Sequence, residues 1–348
     1  MGLIKIPNQS FDFFKNNLDE VVNSGNLAEG KWNQTLSEFT KDLTGASSAT
    51  VTNSNGAGMV ALLTIYRHYY NKRNVLIQKN TMYGVKTMVY AADCEVVDFI
   101  ECKRETLMPG IEDVKSTVDS LSEEKKNNLI ILLSHIGGII NPDIRLIADY
   151  CKQQNIILLE DCAHSFAATL NDEHSGLYGD AGVYSFYATK AIPGGEGGIV
   201  VTNNKDLGDK IFRFSIYDRF DQKLEVGNNI RASEIQALFL YSAVKEWKHI
   251  IENKQIMAEM YMEVCRKHEI SYIAQNLDGH YGNYYKFIIY SDNQLISELY
   301  PNLKTLTSPV YDYAINSDNS VAGFHACLPI WYAQEEDVTN KVIQEIEK

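Results

Sequence analysis

Short apolar runs that each end in polar residues are the feature that most restricts how this chain can fold. Residues 156–159 form such a run, and Glu160 and Asp161 follow it directly. Residues 183–187 form a later one, and Lys190 lies just beyond its end. Runs of this length are too short for buried helices and are typical of parallel strands covered on both faces. Asp161 and Lys190 are therefore expected at the carboxyl edge of one sheet, where open α/β sheets bind ligands.

The pairing of Asp161 with Lys190 suits the chemistry of pyridoxal phosphate. A lysine holds the aldehyde of this cofactor as an imine, and the ring draws off electrons only while a carboxylate keeps its nitrogen protonated. Taken alone, an aspartate at a strand end is more often a cap, and a lysine is more often solvated. The Gly-rich residues 194–198 add a flexible turn before a strand at residues 199–202. Together these features predict a cofactor site with Lys190 and Asp161 as its catalytic residues.

Strand and helix patterns alternate along the first part of the chain. Strands are predicted at residues 50–52, 75–78, 96–100 and 129–133, and helices at residues 58–70 and 142–154. This alternation predicts an α/β fold, with a mostly parallel sheet layered by helices. Apolar residues at helical spacing over residues 232–266 predict one long connecting helix into a smaller C-terminal α+β domain. The predicted division is an N-terminal segment packed on the body (1–30), a large cofactor-binding domain (31–249) and a small domain (250–348).

Composition narrows the possible functions. A chain of 348 residues with 45% hydrophobic content can bury a large core. The net charge of −13 and the lack of a basic stretch argue against a nucleic-acid partner. The six cysteines form no CxxC pair and are expected to be reduced core residues, and no metal site is predicted. The first ten residues have no signal-peptide core, and the longest apolar stretch is too short to span a bilayer, so we expect a cytoplasmic protein without a membrane partner.

Sequence blocks over most of the chain resemble the DegT-type nucleotide-sugar aminotransferase family. EDCAHSFAA, GDAGVYSFYATK and GEGGIVVTN are similar to consecutive signature blocks of that family. Outlying segments agree in the same order: LAEGKWNQTLSEF, SNGAGMVAL, GNNIRASEIQALF and ACLPIWYAQEEDV. The resemblance implies the type I fold, like that of aspartate aminotransferase. It also implies pyridoxal 5′-phosphate as cofactor, with pyridoxamine phosphate as its amine-bearing form.

Backbone N–H groups at a predicted helix start offer a place for the cofactor's phosphate. The helix begins near Ser54, and the resemblance places Gly56 and Ala57 where the family usually has Gly-Thr. Since Ala57 lacks the hydroxyl of that threonine, backbone amides alone would make the contact there. The resemblance adds the hydroxyl of Ser185 to the cofactor-binding set. An ordinary helix cap is the alternative for the residues at the helix start.

The resemblance also implies which residues surround the cofactor ring. His164, three residues after Asp161, matches a position where Gln or His hydrogen-bonds the phenolic oxygen. The residue that stacks on the ring is Met82 in an ungapped alignment and Tyr83 after a shift of one residue. We choose Tyr83, because an aromatic side chain suits stacking.

Three further residues are candidates for contacts with the substrate or with a second subunit. Asn229 matches a residue that reaches the phosphate of the neighbouring subunit, and Arg231 follows as a candidate for substrate binding. The resemblance thus implies a homodimer with shared active sites. A loop with an arginine at a helix start is the alternative. His135, after the strand at residues 129–133, could face the reaction centre or serve an internal structural role.

The implied function is that of an aminotransferase in deoxyaminosugar and polysaccharide biosynthesis. It would transfer an amino group, with glutamate as the expected donor, to a keto group of a nucleotide-linked deoxysugar. A pyridoxal phosphate-dependent sugar dehydratase is one alternative, but such relatives carry histidine in place of the lysine, so Lys190 argues against it. A non-catalytic member that binds a sugar nucleotide or a protein partner is the other. The missing threonine favours that reading, whereas the presence of the catalytic pair opposes it.

Overall fold

The computed structural model describes residues 4–307 and 321–348, which form three sheets and the helices around them. The helices are α1 (Asn8–Ser24), α2 (Lys31–Thr44), α3 (Asn55–Tyr70), α4 (Tyr83–Ala91), α5 (Ile111–Ser120), α6 (Glu123–Asn127), α7 (Ile144–Gln153), α8 (Lys205–Ser215), α9 (Glu234–Val244), α10 (Trp247–Lys267), α11 (Ile296–Leu299) and α12 (Glu336–Ile346). The strands are β1 (Ser48–Thr52), β2 (Asn74–Gln78), β3 (Glu95–Ile100), β4 (Leu129–Ser134), β5 (Ile157–Cys162), β6 (Thr169–Leu170), β7 (Glu173–His174), β8 (Ala181–Ser185), β9 (Gly198–Thr202), β10 (Ser271–Tyr272), β11 (His280–Tyr281), β12 (Phe287–Tyr290) and β13 (His325–Leu328). Short 3-10 helices occupy Pro301–Thr305 and Val321–Phe324.

The main sheet has the strand order β1-β9-β8-β5-β4-β2-β3. From β8 to β3 all neighbours are parallel, whereas β9 is antiparallel to both β8 and β1. Every residue of β2, β4, β8 and β9 is buried, because helices cover both faces of the sheet. The predicted α/β fold with a mostly parallel sheet is confirmed. The carboxyl ends of β4, β5 and β8 therefore meet at one edge.

A close approach between α3 and the sheet brings the start of that helix to the same edge. Gly58 lies in the first turn of α3 and faces β8 and β9. A Cβ atom at this position would lie 2.8 Å from the Val200 side chain and 2.9 Å from that of Val183. Glycine is thus the residue that lets α3 pack this tightly. As a result, the N–H groups at the start of α3 lie beside the ends of the central strands.

Two predicted elements differ in the structure. The strand predicted at residues 183–187 corresponds to β8, which starts two residues earlier and ends two residues earlier, at Ser185. Its pairing with β9 ends there, opposite Gly198. The single long helix predicted over residues 232–266 is divided into α9 and α10, with Lys245 and Glu246 between them. No glycine or proline marks this break, and the apolar spacing continues through it, so the sequence pattern does not reveal it.

The remaining elements surround the main sheet. α1 packs on α9 through aromatic contacts, with ring centroids 5.3 Å apart for Phe14 and Phe239 and 5.7 Å apart for Phe13 and Tyr241. β10, β12 and β13 form a small antiparallel sheet in the C-terminal part of the chain. β11 pairs instead with β6, which follows β5, and so ties this part of the chain to the body. Among the helices of the described residues, none has both the length and the apolar character needed to cross a membrane.

Candidate active site

A cavity of about 330 Å³ opens at the carboxyl edge of the main sheet. Its floor is formed by the ends of three adjacent strands, since Ser134 of β4 is paired with Asp161 of β5, and Ser185 ends β8. The start of α3 and the loop after β8 complete the wall. The structure brings six of the predicted site residues to this cavity through their side chains or backbone: Gly56, His135, Asp161, His164, Ser185 and Lys190.

Asp161 is held in place by neutral hydrogen-bond donors. Its side chain is nearly buried, at 6% exposure for the residue. Oδ1 accepts hydrogen bonds from Nδ2 of Asn55 at 3.1 Å and from the backbone N–H of Ala163 at 3.2 Å, and Oδ2 accepts one from the Ser134 hydroxyl at 3.3 Å. Oγ of Ser134 is also 2.8 Å from Oγ1 of Thr81, which must donate because the Ser134 proton points to Asp161. These bonds fix the orientation of the carboxylate at the edge of the cavity.

The neighbouring carboxylate, Glu160, lies on the other side of the strand because successive side chains alternate. Glu160 is fully buried, and its two oxygens accept backbone N–H groups of the loop after β7. These donors are Gly176, Tyr178 and Gly179, at 2.8, 2.9 and 2.8 Å. Glu160 therefore anchors a loop, and Asp161 is the carboxylate of the pair that faces the cavity.

His135 has both ring nitrogens bonded inside the protein. Its Nδ1 accepts the backbone N–H of Asn141 at 3.1 Å, so Nε2 carries the hydrogen and donates to Oε2 of Glu160 at 2.9 Å. The side chain has no exposed surface. Of the two roles that the sequence left open for His135, this geometry favours the internal structural one over contact with a substrate.

His164 lines the cavity in its neutral form. Its Nδ1 accepts the backbone N–H of Gly137 at 3.4 Å, which leaves the hydrogen on Nε2. Burial lowers the pKa of His164 well below its usual range, and the positive charges of Lys190 and Lys286 lower it further. A neutral imidazole with its hydrogen on Nε2 can donate to a phenolic oxygen, as the resemblance implies.

Lys190 lies in the loop that follows β8. Its backbone N–H donates to the carbonyl oxygen of Tyr187 at 2.8 Å, and its ammonium group lies 5.1 Å from the ring centre of Tyr285. The loop returns to β9 through Gly197, whose φ is +154° and whose Cβ would lie 2.5 Å from the Leu240 side chain. Glycine is required there on both counts. The loop thus holds Lys190 at the same rim as Asp161.

At the start of α3, one backbone amide serves a helix cap. Ser54 caps the helix, and its Oγ accepts the backbone N–H of Ala57 at 3.2 Å. The Ala57 amide thus serves the cap, and its contact with a phosphate stays a prediction. Gly56 does line the cavity, together with Ser54 and Ser185. Oγ of Ser185 accepts the backbone N–H of Tyr187 at 3.4 Å, so its own O–H can donate to a ligand.

The wall of the cavity above the strand ends is formed by Met82, not by Tyr83. Tyr83 begins α4 and is 53% exposed, with the ammonium group of Lys86 6.0 Å from its ring centre. Its ring thus lies outside the cavity of its own chain, and Tyr83 as the stacking residue stays a prediction. The thioether of Met82 is polarisable and makes favourable contacts with aromatic rings, so it can take the place of an aromatic side chain.

Asn229 and Arg231 lie outside this cavity. Asn229 is exposed, and its Oδ1 accepts a hydrogen bond from Nε of Arg231 at 3.2 Å. Nη1 of Arg231 is 3.6 Å from Oε2 of Glu29, and the backbone of Arg231 pairs with Thr52. The structure thus does not bring these two predicted residues to the site of their own chain.

Several residues at the site escape sequence reasoning. Asn55 and Ser134 both donate hydrogen bonds to Asp161. They meet Asp161 only because the fold brings together elements that are distant in sequence. Ser134 ends an apolar run just as Asp161 does, so a comparison of strand ends is the signal that could have found it. Tyr285 contacts both His164 and Lys190, and no local pattern separates it from the adjacent Tyr284.

The donors around the cavity match the chemistry of pyridoxal phosphate. Lys190 offers an amine for the aldehyde, Asp161 a carboxylate for the ring nitrogen, and His164 an N–H for the phenolic oxygen. The start of α3 and Ser185 offer donors for the phosphate. Such a site at the carboxyl edge of a mostly parallel sheet places the protein in the class of type I pyridoxal phosphate folds. The chain belongs to the DegT/DnrJ/EryC1/StrS aminotransferase family, whose model matches residues 9–323.

Curated relatives match parts of the chain. GDP-perosamine synthase of Vibrio cholerae is 30% identical over 183 residues, which are 51% of this chain and 47% of that protein. UDP-4-amino-4,6-dideoxy-N-acetyl-beta-L-altrosamine transaminase of Helicobacter pylori is 26% identical over 260 residues, 71% of this chain and 65% of that protein. The chain thus spans about half to two thirds of the length of these relatives.

A solved structure matches nearly the whole chain. It is Helicobacter pylori PseC, an aminotransferase involved in the biosynthesis of pseudoaminic acid. The TM-score is 0.85 with 17% sequence identity, and the match covers 99% of this chain and 96% of that one. The likeness establishes that the two chains share a fold.

Proposed function

We propose that this protein is a pyridoxal phosphate-dependent aminotransferase that moves an amino group from glutamate to a keto group of a nucleotide-linked deoxysugar. The observation that carries the proposal is that Lys190 and Asp161 line one cavity beside the start of α3. Family membership supports the reaction type. The names of the relatives from Vibrio cholerae and Helicobacter pylori support a nucleotide-linked amino sugar as the product class.

The residues of the cavity divide the chemistry among them. When bound, pyridoxal phosphate supplies an aldehyde that joins amines and a ring that takes up negative charge. The amine of Lys190 would hold this cofactor at its aldehyde, and the carboxylate of Asp161 would keep a proton on its ring nitrogen. When it is not joined to the aldehyde, the Lys190 amine would act as the general base that moves a proton from the α carbon of the amino donor to the carbon that bore the aldehyde oxygen. Lys190 and Asp161 would have the same roles in the second half of the reaction, in which the amino group passes to the keto carbon of the sugar.

The proposal includes a homodimer with shared sites. Asn229 is exposed and lies outside the cavity of its own chain, so it can serve a phosphate only in a neighbouring subunit. Its hydrogen bond with Arg231 orients the amide, which gives Arg231 a role even if it never touches a substrate.

Amine transfer tests the proposal directly. The purified protein, supplied with pyridoxal phosphate and glutamate, is incubated with a panel of nucleotide-linked 4-keto and 3-keto deoxysugars. We expect one of them to gain an amino group, detected by mass spectrometry together with 2-oxoglutarate, and Lys190→Ala to give no product. Loaded protein that converts neither glutamate nor any ketosugar would contradict the proposal. Product formed with another amino acid, but not with glutamate, would refute the donor alone.

A further inference from the structure

A short segment of the C-terminal part of the chain is held against the active-site loops. Asn283 has no exposed surface, and its Nδ2 donates to the carbonyl oxygens of His164 at 2.8 Å and of Phe166 at 2.9 Å. Its backbone N–H donates to the carbonyl oxygen of Gly138 at 3.0 Å. These buried bonds fix the segment 283–286 relative to the loops that follow β4 and β5.

The backbone bends sharply within this segment. Tyr284 has a φ of +51°, a left-handed conformation that is unusual and costly for a bulky residue. Two bonds hold it there: its N–H donates to Oε1 of Gln275 at 2.8 Å, and its hydroxyl accepts from Nδ2 of Asn276 at 2.9 Å. Tyr284 stays in the core, while the next residue, Tyr285, contacts the active site. The left-handed conformation of Tyr284 sets the direction in which the chain continues, and so it places Tyr285 at the active site.

Tyr285 makes three contacts with charged or titratable side chains. It is 3% exposed, and its ring centre lies 4.3 Å from that of His164, with the two ring planes 36° apart. The ammonium groups of Lys190 and Lys286 lie 5.1 Å and 5.0 Å from the same ring centre. Both distances fall within the range in which the electron-rich face of an aromatic ring attracts a cation.

We propose that Tyr285 is a positioning residue that stabilises the protonated amine of Lys190 through its aromatic face. The catalytic consequence rests on the proposed function: a lysine that takes a proton from the donor's α carbon becomes charged, and the ring favours that charged form. Lys286 carries a like charge near the same ring. Since Lys286 remains when Tyr285 is replaced, the replacement isolates the contribution of the ring.

Other ionisable side chains share the cavity with Lys190. They are Asp161, Glu196, His135, His164 and Tyr187. Asp161 and Glu196 are carboxylates, and His164 is neutral near pH 7 because burial lowers its pKa well below the usual range. All of these groups are retained in the variants below, so a difference between variants reports on residue 285.

The test measures the protonation of Lys190 in the cofactor-free full-length chain. Trace acetic anhydride acylates only a neutral amine and releases acetate, and peptide mass spectrometry gives the labelling of Lys190 at each pH. In Tyr285→Leu we expect the labelling profile of Lys190 to move to lower pH by roughly 0.5 to 1.5 units. Tyr285→Phe keeps the ring and should keep the wild-type profile.

Matched variants separate this role from a general loss of structure. Tyr272→Leu removes an aromatic ring that stacks on Phe287 at 5.5 Å and has no described contact with Lys190, so its profile should not move. If Tyr285→Leu does not fold, pentafluorophenylalanine at position 285 retains the shape but reverses the charge of the ring face. It should move the profile in the same direction as Tyr285→Leu.

Two results would overturn the inference: an unmoved profile in a folded variant that lacks the electron-rich ring, or an equal shift in Tyr272→Leu. The proposed function is tested apart from it, by the absorbance of the wild-type protein after addition of pyridoxal phosphate. A protein that gave no new absorbance band would refute the function and leave the labelling comparison intact.

Discussion

Glu160 and Asp161 are adjacent carboxylates with different roles in the structure. Glu160 accepts three backbone N–H groups of one loop and the ring N–H of His135, whereas Asp161 faces the cavity. Their order along β5 decides this, since one step along a strand changes the face of the sheet. Replacing Asp161 by its amide should therefore impair turnover, whereas replacing Glu160 by its amide should impair stability.

We expect Asp161→Asn to bind cofactor but to lose turnover by on the order of 100-fold or more, because the charge that holds the ring proton is gone. Glu160→Gln is its matched control. It should lower the free energy of unfolding by about 1 to 3 kcal/mol, since an amide N–H then faces backbone N–H groups. Steady-state kinetics at saturating cofactor and denaturant titration measure the two effects. Near-normal turnover of Asp161→Asn would refute the role given to that carboxylate.

Met82 provides a second comparison at the scale of single residues. Met82→Ala should weaken cofactor retention roughly two- to tenfold, the range expected for loss of a sulfur–aromatic contact. Tyr83→Ala should leave retention unchanged, because that ring lies outside the cavity. Equilibrium dialysis of the cofactor distinguishes them. The opposite ranking would support Tyr83 as the stacking residue.

How much of the site the sequence predicts depends on where each residue's partners lie. Asp161 and Lys190 are predictable because a strand end and the following loop are local patterns. Asn55 and Tyr285 are not, because Asp161 lies 106 residues from Asn55 and Lys190 lies 95 residues from Tyr285. For Ala57 the sequence leaves a helix cap and an anion contact open, since the choice between binding an anion and binding Ser54 is set by side-chain rotation.

At the scale of elements, α10 carries a buried lysine on its packed face. Lys254 is 2% exposed, and burial lowers its pKa to about 7, with the like charge of Lys286 adding to the effect. In the unfolded chain the same amine keeps its usual pKa near 10.5. Between these two values the unfolded chain binds more protons than the folded one, so the stability of the fold rises with pH.

We expect the free energy of unfolding of the wild type to gain roughly 1.4 kcal/mol per pH unit from Lys254 over the range above pH 7. Lys254→Met should lose this slope and should be the more stable protein near pH 7. Lys267→Met, on the exposed end of the same helix, is the control and should keep the wild-type slope. Urea titrations at several pH values give the slopes. Parallel curves for wild type and Lys254→Met would show that the lysine is not buried.

The strands of the main sheet follow from the sequence because each is a continuous apolar run between polar segments. The exact residues at which these strands end do not follow from the sequence. β8 stops at Ser185 because its partner β9 begins at Gly198, and that pairing is a tertiary contact. The break between α9 and α10 is likewise hidden, because both helices bury apolar residues and the spacing passes through the break.

At the scale of the whole molecule, the proposed homodimer needs residues of two chains for one complete site. Asn229→Ala should weaken cofactor retention by about 10- to 150-fold, the loss of a charge-assisted hydrogen bond worth roughly 1.5 to 3 kcal/mol. At limiting cofactor, neither this variant nor Lys190→Ala should be active alone. In a mixed dimer one site contains both defects and the other neither, so exchange of subunits should restore part of the activity.

Native mass spectrometry confirms that the mixed dimer has formed. If it has formed and no activity returns, the placement of Asn229 in the neighbouring site is wrong. Activity of an isolated Lys190→Ala dimer would point instead to a site that does not need this lysine.

The most direct measurement of the central claim is a chemical trap of the resting enzyme. The protein is loaded with pyridoxal phosphate and reduced with borohydride, which turns the link between lysine and cofactor into a stable bond, and peptides are mapped by mass spectrometry. We predict a pyridoxyl label on Lys190 that survives in Lys286→Met and is absent from Lys190→Ala. A label on any other lysine of the wild-type protein, or no label after verified loading, would contradict the account.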